Sequence, residues 1–460
     1  MIRARAIAAA LALAVVSALP AGAQSLADTM VAAYRHSALL DQNRAVLRAA
    51  DEDVAQAISA LRPVVQWIAN HSAQRIEGLT TTRNSSLQLG AQLTLYDFGR
   101  SRLAIDGAKE QVLATREALV GVEQDVLLSA TQAHLNVREA VQQVALQQSS
   151  LGAVRQERQA AQDRFEVGEI TVTDVALADA QLAASQARLA ASQGQLDAAR
   201  ESYLAVTGTR PGTLAPPPAL PRLPKSLDEA KALAQRNHPA IRQAQRQAAA
   251  AEIGVAAAAA ERNPTLSANA GVGVTRSINQ MTGEYDTRNS ASAGLEMRQT
   301  IYSGGRLPSI QRSAMAQRDQ ARAALLNVSR QVTLSVGEAW VNIDVARAQI
   351  RAIDQQIAAA QQAYDGVREE ALLGARTTLD VLDAEQSLLE ARANRISAES
   401  NLQLAHYQLL AAMGLLTVEN LILGIPTYVP SQYYNAVRSA PQTSRQGESL
   451  DRVLRAIGRN

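Results

Sequence analysis

The chain is an internal duplication, and this repeat restricts the possible fold more than any other feature of the sequence. The segment SLADTMVAAYRHS (Ser25 to Ser37) recurs as SLDEAKALAQRNH (Ser226 to His238), at an offset of 201 residues. LYDFGR, which ends at Arg100, recurs as IYSGGR, which ends at Arg306, at an offset of 206. Two copies of one long unit predict a quasi-symmetric architecture rather than two unrelated domains.

Each copy predicts a helical stretch followed by a β-hairpin. The helical stretches, 25–61 and 226–261, stop just before a proline, because the residue before proline avoids the α conformation. Apolar residues then alternate with polar or small ones, as in LQLGAQLTL, which is typical of strands with one apolar face. We expect hairpins at about 64–97 and about 265–302, with polar loops at 78–86 and 279–289.

Each β-hairpin leads into a very long helix. The first, 99–165, has 67 residues and no proline, which corresponds to ~100 Å at ~1.5 Å per residue. Its counterpart, 305 to about 373, has a single proline in its first turn, where proline is tolerated. A turn at Gly168 or Gly374 then predicts a return helix, so that helical hairpins cover 99–208 and 305–414.

The predicted organisation therefore has five parts. They are a signal peptide (1–23), a first repeat (24–208), a proline-rich linker (209–225), a second repeat (226–424) and a C-terminal segment with a loosely ordered tail (425–460).

The first residues predict export. Two arginines precede an apolar run that ends at Pro20, and Ala21-Gly22-Ala23 is typical of a cleavage site. Without Arg3 and Arg5, basic and acidic residues are equal in number, which gives no reason to expect a nucleic-acid partner. The chain has no cysteine, so it has neither disulfides nor a site for N-terminal lipidation.

No later segment is apolar over the ~18 residues that a membrane-spanning helix requires, so any membrane crossing must use the strands. Four strands per chain cannot close a barrel, and an open sheet leaves unpaired backbone groups in lipid. Two chains would give eight strands around a filled interior, whereas three would give twelve strands and room for a channel. Helices of ~100 Å exceed a bilayer core of ~30 Å and must project from it.

The sequence resembles the TolC family of outer-membrane efflux and secretion proteins in this layout, in the LDVLDA turn and in two Tyr-x-x-Gly-Arg joints. The joints are Tyr96, Gly99 and Arg100 in the first copy and Tyr302, Gly305 and Arg306 in the second. The resemblance extends from Ser25 to about Gly424. The missing lipidation cysteine makes the chain more similar to the non-lipidated TolC-like and type I secretion members.

The resemblance implies a mainly α fold with a membrane β-barrel part. Three chains would form a 12-stranded barrel in the outer membrane and a 12-helix periplasmic α-barrel, with the linker and C-terminal segment between them. The implied function is an exit duct for tripartite efflux or type I secretion. The implied partners are two further copies, outer-membrane lipid, a periplasmic adaptor (membrane fusion protein) and an inner-membrane transporter of the ABC, RND or MFS type.

The stretch GARTTLDVLDAEQ, at 374–386, contains the candidate site. Thr377-x-x-Asp380 has the form of a capping box, as does Thr171-x-x-Asp174, so Asp380 can be explained by helix capping alone. Asp383 has no counterpart, because Leu177 stands at its place in the first copy. The resemblance implies that Asp380 and Asp383 from three chains ring the tunnel aperture.

The resemblance also implies a latch that holds the aperture closed. Its members would be Arg376, from the second helical hairpin, with Thr173 and Asp174, from the first. The family's latch tyrosine falls at Ala371 here, so that one link is missing and the closed state is either weaker or held by other contacts. At the strand-to-helix joints the glycines, which tolerate unusual backbone angles, let the chain turn.

Other chemistries have little support in the sequence. There is no catalytic constellation, the five histidines lack metal-ligand spacing, and we expect neither an enzyme, a metal site nor a cofactor. Trp67 and Tyr96 are equally consistent with the membrane boundary and with ordinary packing. A periplasmic coiled-coil adaptor is the alternative function, although adaptors do not carry two lipid-suited strand hairpins.

Overall fold

The computed structural model describes residues 23–75, 81–278, 283–439 and 452. Nearly all of the predicted signal peptide, the tips of both β-hairpins and most of the predicted tail lie outside these residues. The elements of the first repeat are α1 (Leu26–His36), α2 (Ala38–Ser59), β1 (Val64–Gln74), β2 (Thr82–Tyr96), α3 (Arg100–Glu166) and α4 (Val172–Thr207). Those that follow are α5 (Leu227–Asn237), α6 (Pro239–Ala260), β3 (Thr265–Ile278), β4 (Tyr285–Arg298), α7 (Arg306–Leu372), α8 (Thr378–Ala412) and α9 (Pro430–Val437).

The first helical stretch of each repeat is broken, whereas the sequence predicted it to be continuous. The breaks lie at Ser37 and His238, whose backbones are extended. Proline follows His238 directly, but the break at Ser37 has no such local cause. In both copies a glycine of the return helix approaches this place closely. An added Cβ at Gly208 would lie 2.4 Å from His36 Nδ1, and one at Gly414 would lie 2.7 Å from His238 Cα.

The two long helices are equal in length. Helices α3 and α7 each contain 67 residues. Among the described helices, none is apolar over a stretch long enough to cross a membrane. The chain divides into two compact units, which are described separately.

The sheet unit comprises 42–119, 239–330 and the described part of the C-terminal segment from 428. Its four strands are antiparallel in the order β1-β2-β3-β4, so that β2 of the first repeat pairs with β3 of the second. The two hairpins have the same register. Val64 pairs with Gln92, and the residues at the repeat offsets from them, Thr265 and Arg298, also pair.

The strands extend into the segments that the sequence predicted to be loops. Residues 82–86 belong to β2 and residues 285–289 belong to β4, where polar composition had indicated loops. The physical reason is that backbone pairing continues through polar side chains, as in His71 opposite Ser85, whose side chains also bond at 2.8 Å. The sheet is therefore longer than its apolar part.

The C-terminal segment packs against the same unit. The Arg44 guanidinium lies 5.5 Å from the ring centre of Tyr428, and that of Arg116 lies 5.2 Å from the ring centre of Tyr434. The Tyr433 hydroxyl donates to Glu52 at 2.8 Å. Cation–π contacts of this kind, together with the hydrogen bond, hold α9 in place.

The hairpin unit comprises 23–41, 120–238 and 331–427. Its core is mainly apolar, with clusters such as Val137, Leu196 and Tyr203, and it also contains buried polar residues such as His134 and Glu385. Gln24 pairs with the linker in both directions: its N–H donates to the Thr213 carbonyl at 2.9 Å, and its carbonyl accepts from the Ala215 N–H at 2.8 Å. The linker is thereby fixed against the start of the first repeat.

Candidate aperture at the turns of the helical hairpins

Both helical hairpins turn through the same backbone motif. Gly168 and Gly374 have φ of 80° and 75°, a left-handed conformation that costs glycine little. The N–H of the next residue reaches back five positions, from Glu169 to Arg164 at 2.9 Å and from Ala375 to Glu370 at 2.9 Å. This is the Schellman arrangement, which satisfies the last carbonyls of a helix.

Both return helices begin with a capping box. The Asp174 carboxylate accepts from the Thr171 N–H at 2.9 Å and from its hydroxyl at 2.8 Å, while the Asp174 N–H donates back to that hydroxyl. Thr377 and Asp380 make the same set of bonds. The threonine N–H, followed by its hydroxyl, holds the pKa of each aspartate below its usual value. Asp380 is therefore part of a helix cap.

Asp383 is placed differently. It is exposed, three residues after Asp380 on α8, and its backbone carbonyl accepts from the Ser387 hydroxyl at 3.1 Å. No hydrogen bond or ion pair found among the described residues uses its carboxylate. The structure thus brings both predicted ring residues to one end of α8, but only Asp383 has a carboxylate that is not engaged in the cap.

The predicted latch is not assembled within the chain. Arg376 pairs with Glu370 across its own turn, at 2.9 Å, and not with Asp174 or Thr173. Thr173 is exposed, and Asp174 is engaged by Thr171. Within the single chain Arg376 thus pairs with Glu370, at the end of the preceding helix, and the latch stays a prediction for the assembled aperture.

The two helical hairpins are instead joined by polar contacts that the sequence did not indicate. Arg368 of α7 pairs with Glu157 of α3 at 3.7 Å. The Ser150 hydroxyl of α3 donates to Glu385 of α8 at 3.1 Å. Farther along, Ser397 donates to Glu139 at 2.6 Å. These contacts connect the first hairpin to the second.

Glu385 is a buried carboxylate, only 7% exposed. Burial raises its pKa, and the Ser150 hydrogen bond opposes this effect. It lies in the helical series Val381, Glu385, Leu388, whose other members are buried and apolar. A charged residue within an apolar helical series is the signal that could have identified it from the sequence.

Ala371 lies where the resemblance places a latch tyrosine. It is buried and lines a cavity of about 140 Å³ between the hairpins, together with Glu157, Arg164, Arg368 and Val381. The charged partners of one inter-hairpin contact therefore border the space that the small side chain leaves.

At the first strand-to-helix joint, Arg100 has a role beyond the turn itself. Its guanidinium donates to the carbonyls of Ala260, Glu261 and Asn263, at 3.3, 3.4 and 3.2 Å. An arginine at this place satisfies carbonyls at the end of α6 and complements the negative end of its dipole. Gly99 has a φ of 87°, and Tyr96 is the last residue of β2.

The second joint has a similar backbone with fewer contacts. Gly305 has a φ of 88°, and Tyr302 is exposed. Arg306 approaches Glu261 only at 4.0 Å. In the described parts of the chain there is no group of three or more histidine, aspartate or glutamate side chains arranged to hold a metal ion.

Each repeat has one very long helical hairpin and two strands of a shared four-stranded sheet. This arrangement, with one apolar face on the sheet, is typical of outer-membrane channel proteins. The model of the family "Outer membrane efflux protein" matches residues 30–209 and 231–415. The chain belongs to this family. It is an outer-membrane channel protein of the kind that serves efflux and type I secretion.

Individual relatives agree with this assignment. The chain is 35% identical to outer membrane efflux protein BepC of Brucella suis, over 90% of this chain and 91% of the relative. It is 24% identical to outer membrane protein TolC of Escherichia coli K12, over 93% and 90%. The crystal structure of VceC from Vibrio cholerae has the same fold, with a TM-score of 0.71, 21% identity and coverage of 85% and 96%.

Proposed function

We propose that three copies of the chain close into one continuous duct through the outer membrane, with a gated aperture at the turns of the second helical hairpin. The observation that carries this proposal is the pairing of β2 with β3 across the two repeats. Since β4 repeats β2 and β1 repeats β3, the same pairing can join β4 of one chain to β1 of the next. Repetition around three chains gives twelve strands and no edge.

The repeat offsets predict the register of this junction. Ala91 of β2 pairs with Ala270 of β3. The corresponding residues are Met297 of β4 and Ala69 of β1, which should therefore lie opposite each other between neighbouring chains. The strand pairings place both side chains on the face that carries Leu87 and Val274, which is the apolar face, so the predicted junction keeps that face continuous.

The same symmetry assigns a partner to Arg306. Arg100 of the first repeat caps α6 of the second repeat within the chain. Arg306 would cap the end of α2 in the next chain, through carbonyls near residues 59–62. Each joint would then hold two repeats together, alternately within and between chains.

At the periplasmic aperture, Asp383 from three chains would form a ring, with Asp380 three residues earlier in the cap of the same helix. Rings of carboxylates favour cations, and multivalent cations most strongly. The contacts between Glu157 and Arg368 and between Ser150 and Glu385 would help to hold the hairpins closed, along with any contacts between chains.

We further propose that the aperture docks with a periplasmic adaptor, a membrane fusion protein, and through it with an inner-membrane transporter of the ABC, RND or MFS class. The channel would act by conduction and not as an enzyme. A periplasmic adaptor is the weaker alternative for this chain, because that role leaves the apolar face of a four-stranded sheet without a function.

Disulfide trapping tests the closure, since the natural chain has no cysteine. With Ala69→Cys and Met297→Cys together, mild oxidation should convert most of the protein into covalently joined trimers on denaturing gels. Ala69→Cys with Ala291→Cys is the matched control, because residue 291 lies six positions, or ~20 Å, along the same face. Monomers in both cases, or equal crosslinking in both, would contradict the proposed junction.

A further inference from the structure

The apolar face of the sheet ends in a basic strip. On this face lie Leu87, Leu89 and their paired neighbours Val274 and Val272. Residues paired across the four strands form rows. The next row after Leu87 and Val274, toward the hairpin loops, contains His71, Ser85, Arg276 and Thr287. Two residues farther toward the loops on their strands lie Arg83 and Tyr285. The basic strip is the set His71, Arg83 and Arg276.

Within the described strands, no carboxylate lies on the same face as the basic strip. The described strands contain two carboxylates, Asp286 and Glu296, and both alternate onto the opposite face. The other two basic residues of these strands, Arg288 and Arg298, also lie there, where each pairs with one of those carboxylates, at 2.8 Å and 2.5 Å. The basic strip therefore carries a positive charge that no carboxylate of the described strands neutralises on that face.

The arginines of the strip can act on one ligand group. Arg276 pairs with Ser85, two residues from Arg83, so the two arginines are diagonal neighbours on adjacent strands, ~7–8 Å apart and within reach of each other. The Arg276 guanidinium lies over the Tyr285 ring, 4.5 Å from its centre. Stacking on the ring face leaves the in-plane N–H groups free to donate, and their fork matches a phosphate.

The length of the apolar part of the strands places the basic strip at the level of the lipid headgroups. The apolar rows from Leu266 to Val274 cover eight residue steps, about 27 Å along a strand. With a tilt of ~40° this becomes ~21 Å, close to the ~25 Å apolar band of outer-membrane barrels. Arginine on the lipid face is costly at the middle of the membrane and tolerated near its boundary, where the strip lies.

We infer that the basic strip binds the phosphate groups of lipid A, the phosphorylated glycolipid of the outer leaflet. This inference rests on the proposed function, which sets the face toward lipid. The strip lies at the loop end of the strands, opposite the end at which Tyr96 leads into α3. For an exported chain whose long helices lie in the periplasm, the loop end is in the outer leaflet, and a phosphate there belongs to lipid A.

Native mass spectrometry of the intact trimer in detergent tests the inference, with diphosphoryl lipid A as the probe. We expect Arg83→Gln with Arg276→Gln to lower the apparent affinity by about tenfold or more, because two charge-assisted contacts are lost. Arg288→Gln, on the opposite face of the same strand end, should change it less than twofold. Arg83→Lys with Arg276→Lys keeps the charge and should bind better than the double glutamine variant.

Two further probes identify the ligand. Lipid A without phosphates should bind the unmodified trimer as weakly as diphosphoryl lipid A binds the double glutamine variant, and phosphatidylglycerol should bind less tightly than diphosphoryl lipid A. Equal retention of diphosphoryl lipid A by the double glutamine variant and the unmodified trimer overturns the inference. Preference for phosphatidylglycerol also overturns it, in favour of a phospholipid.

Conductance measured on the same preparation separates the two proposals. If the trimers conduct but bind diphosphoryl lipid A no better than the other lipids, or no better than the double glutamine variant does, only the lipid site is overturned. A preparation without trimers or conductance overturns the proposed function, and with it this inference.

Discussion

The turns of the two helical hairpins share their backbone and their caps but differ in charge. Gly168 and Gly374 have nearly the same φ, and both return helices begin with a Thr–Asp capping box. Only the second turn has Asp383, at the place of Leu177, and Arg376, at the place of Ile170. Residues present in both copies build the turn, and those present in one copy are the candidates for a specific function.

The largest expected effect comes from removing the unduplicated carboxylate. Asp383→Ala should weaken the block of conductance by trivalent cations by roughly tenfold or more, because three carboxylates of a multivalent site are lost together. The measurement is the half-blocking concentration in planar bilayers. Leu177→Ala is the matched control in the first copy and should leave the block unchanged. An undiminished block in Asp383→Ala would place the ring elsewhere.

The contacts between hairpins give the next largest effect. Arg368→Ala removes a contact between hairpins, whereas Arg376→Ser removes one within a single turn. Arg368 is about half exposed and its pair with Glu157 is 3.7 Å long, so each copy should contribute only about 0.3 kcal/mol, and loss of three copies should shift the open-to-closed ratio roughly fivefold. Arg368→Ala should raise single-channel conductance or open time more than Arg376→Ser does. The reverse order would restore Arg376 as the principal latch residue.

Local features of the molecule could be predicted from the sequence, whereas contacts between distant residues could not. The repeat, the long helices, the glycine turns and the capping boxes follow from local rules, because each depends on residues within a few positions. The break at Ser37 does not, since the glycine that packs there is Gly208. The bond between Ser150 and Glu385 was also not predictable, because the relative rotation of two helical hairpins depends on the packing of many side chains.

The caps should contribute equally in the two copies. Thr171→Ala and Thr377→Ala should each destabilise the start of a return helix by about 1 kcal/mol. Hydrogen exchange of the first turns of α4 and α8 measures this directly. Unequal effects would mean that the two turns differ in more than charge.

These caps also predict a pH dependence. Because the pKa of each aspartate is lowered in the folded chain, the stabilisation is present above the ordinary value of 3.8 and is lost as pH falls through the lowered pKa. Exchange of both helix starts should therefore accelerate relative to the helix centres only below about pH 4. Loss of protection already near neutral pH would contradict this assignment.

The smallest effect is expected at Ala371. Ala371→Tyr fills part of the cavity between the hairpins and brings a hydroxyl near Glu157 and Arg368. The closed state should gain only about 0.5 kcal/mol, because the rotamer freedom that the tyrosine loses offsets part of the one added hydrogen bond. The gain would be seen as a lower open probability. Ala371→Phe fills the same cavity without a hydroxyl, so the difference between the two variants measures the hydrogen bond alone. If both variants open the channel, the cavity is too small and overpacking dominates.

The most direct test of the charged second turn is chemical modification of single cysteines in the cysteine-free chain. Asp383→Cys, treated from the periplasmic side with a positively charged thiol reagent, should lose most of its cation conductance. In a separate sample, a negatively charged thiol reagent should bring the cation conductance of the same variant close to that of the natural chain. Leu177→Cys should respond to neither reagent. Equal responses at positions 177 and 383, or no response at position 383, would contradict the account that the unduplicated aspartate lines the aperture.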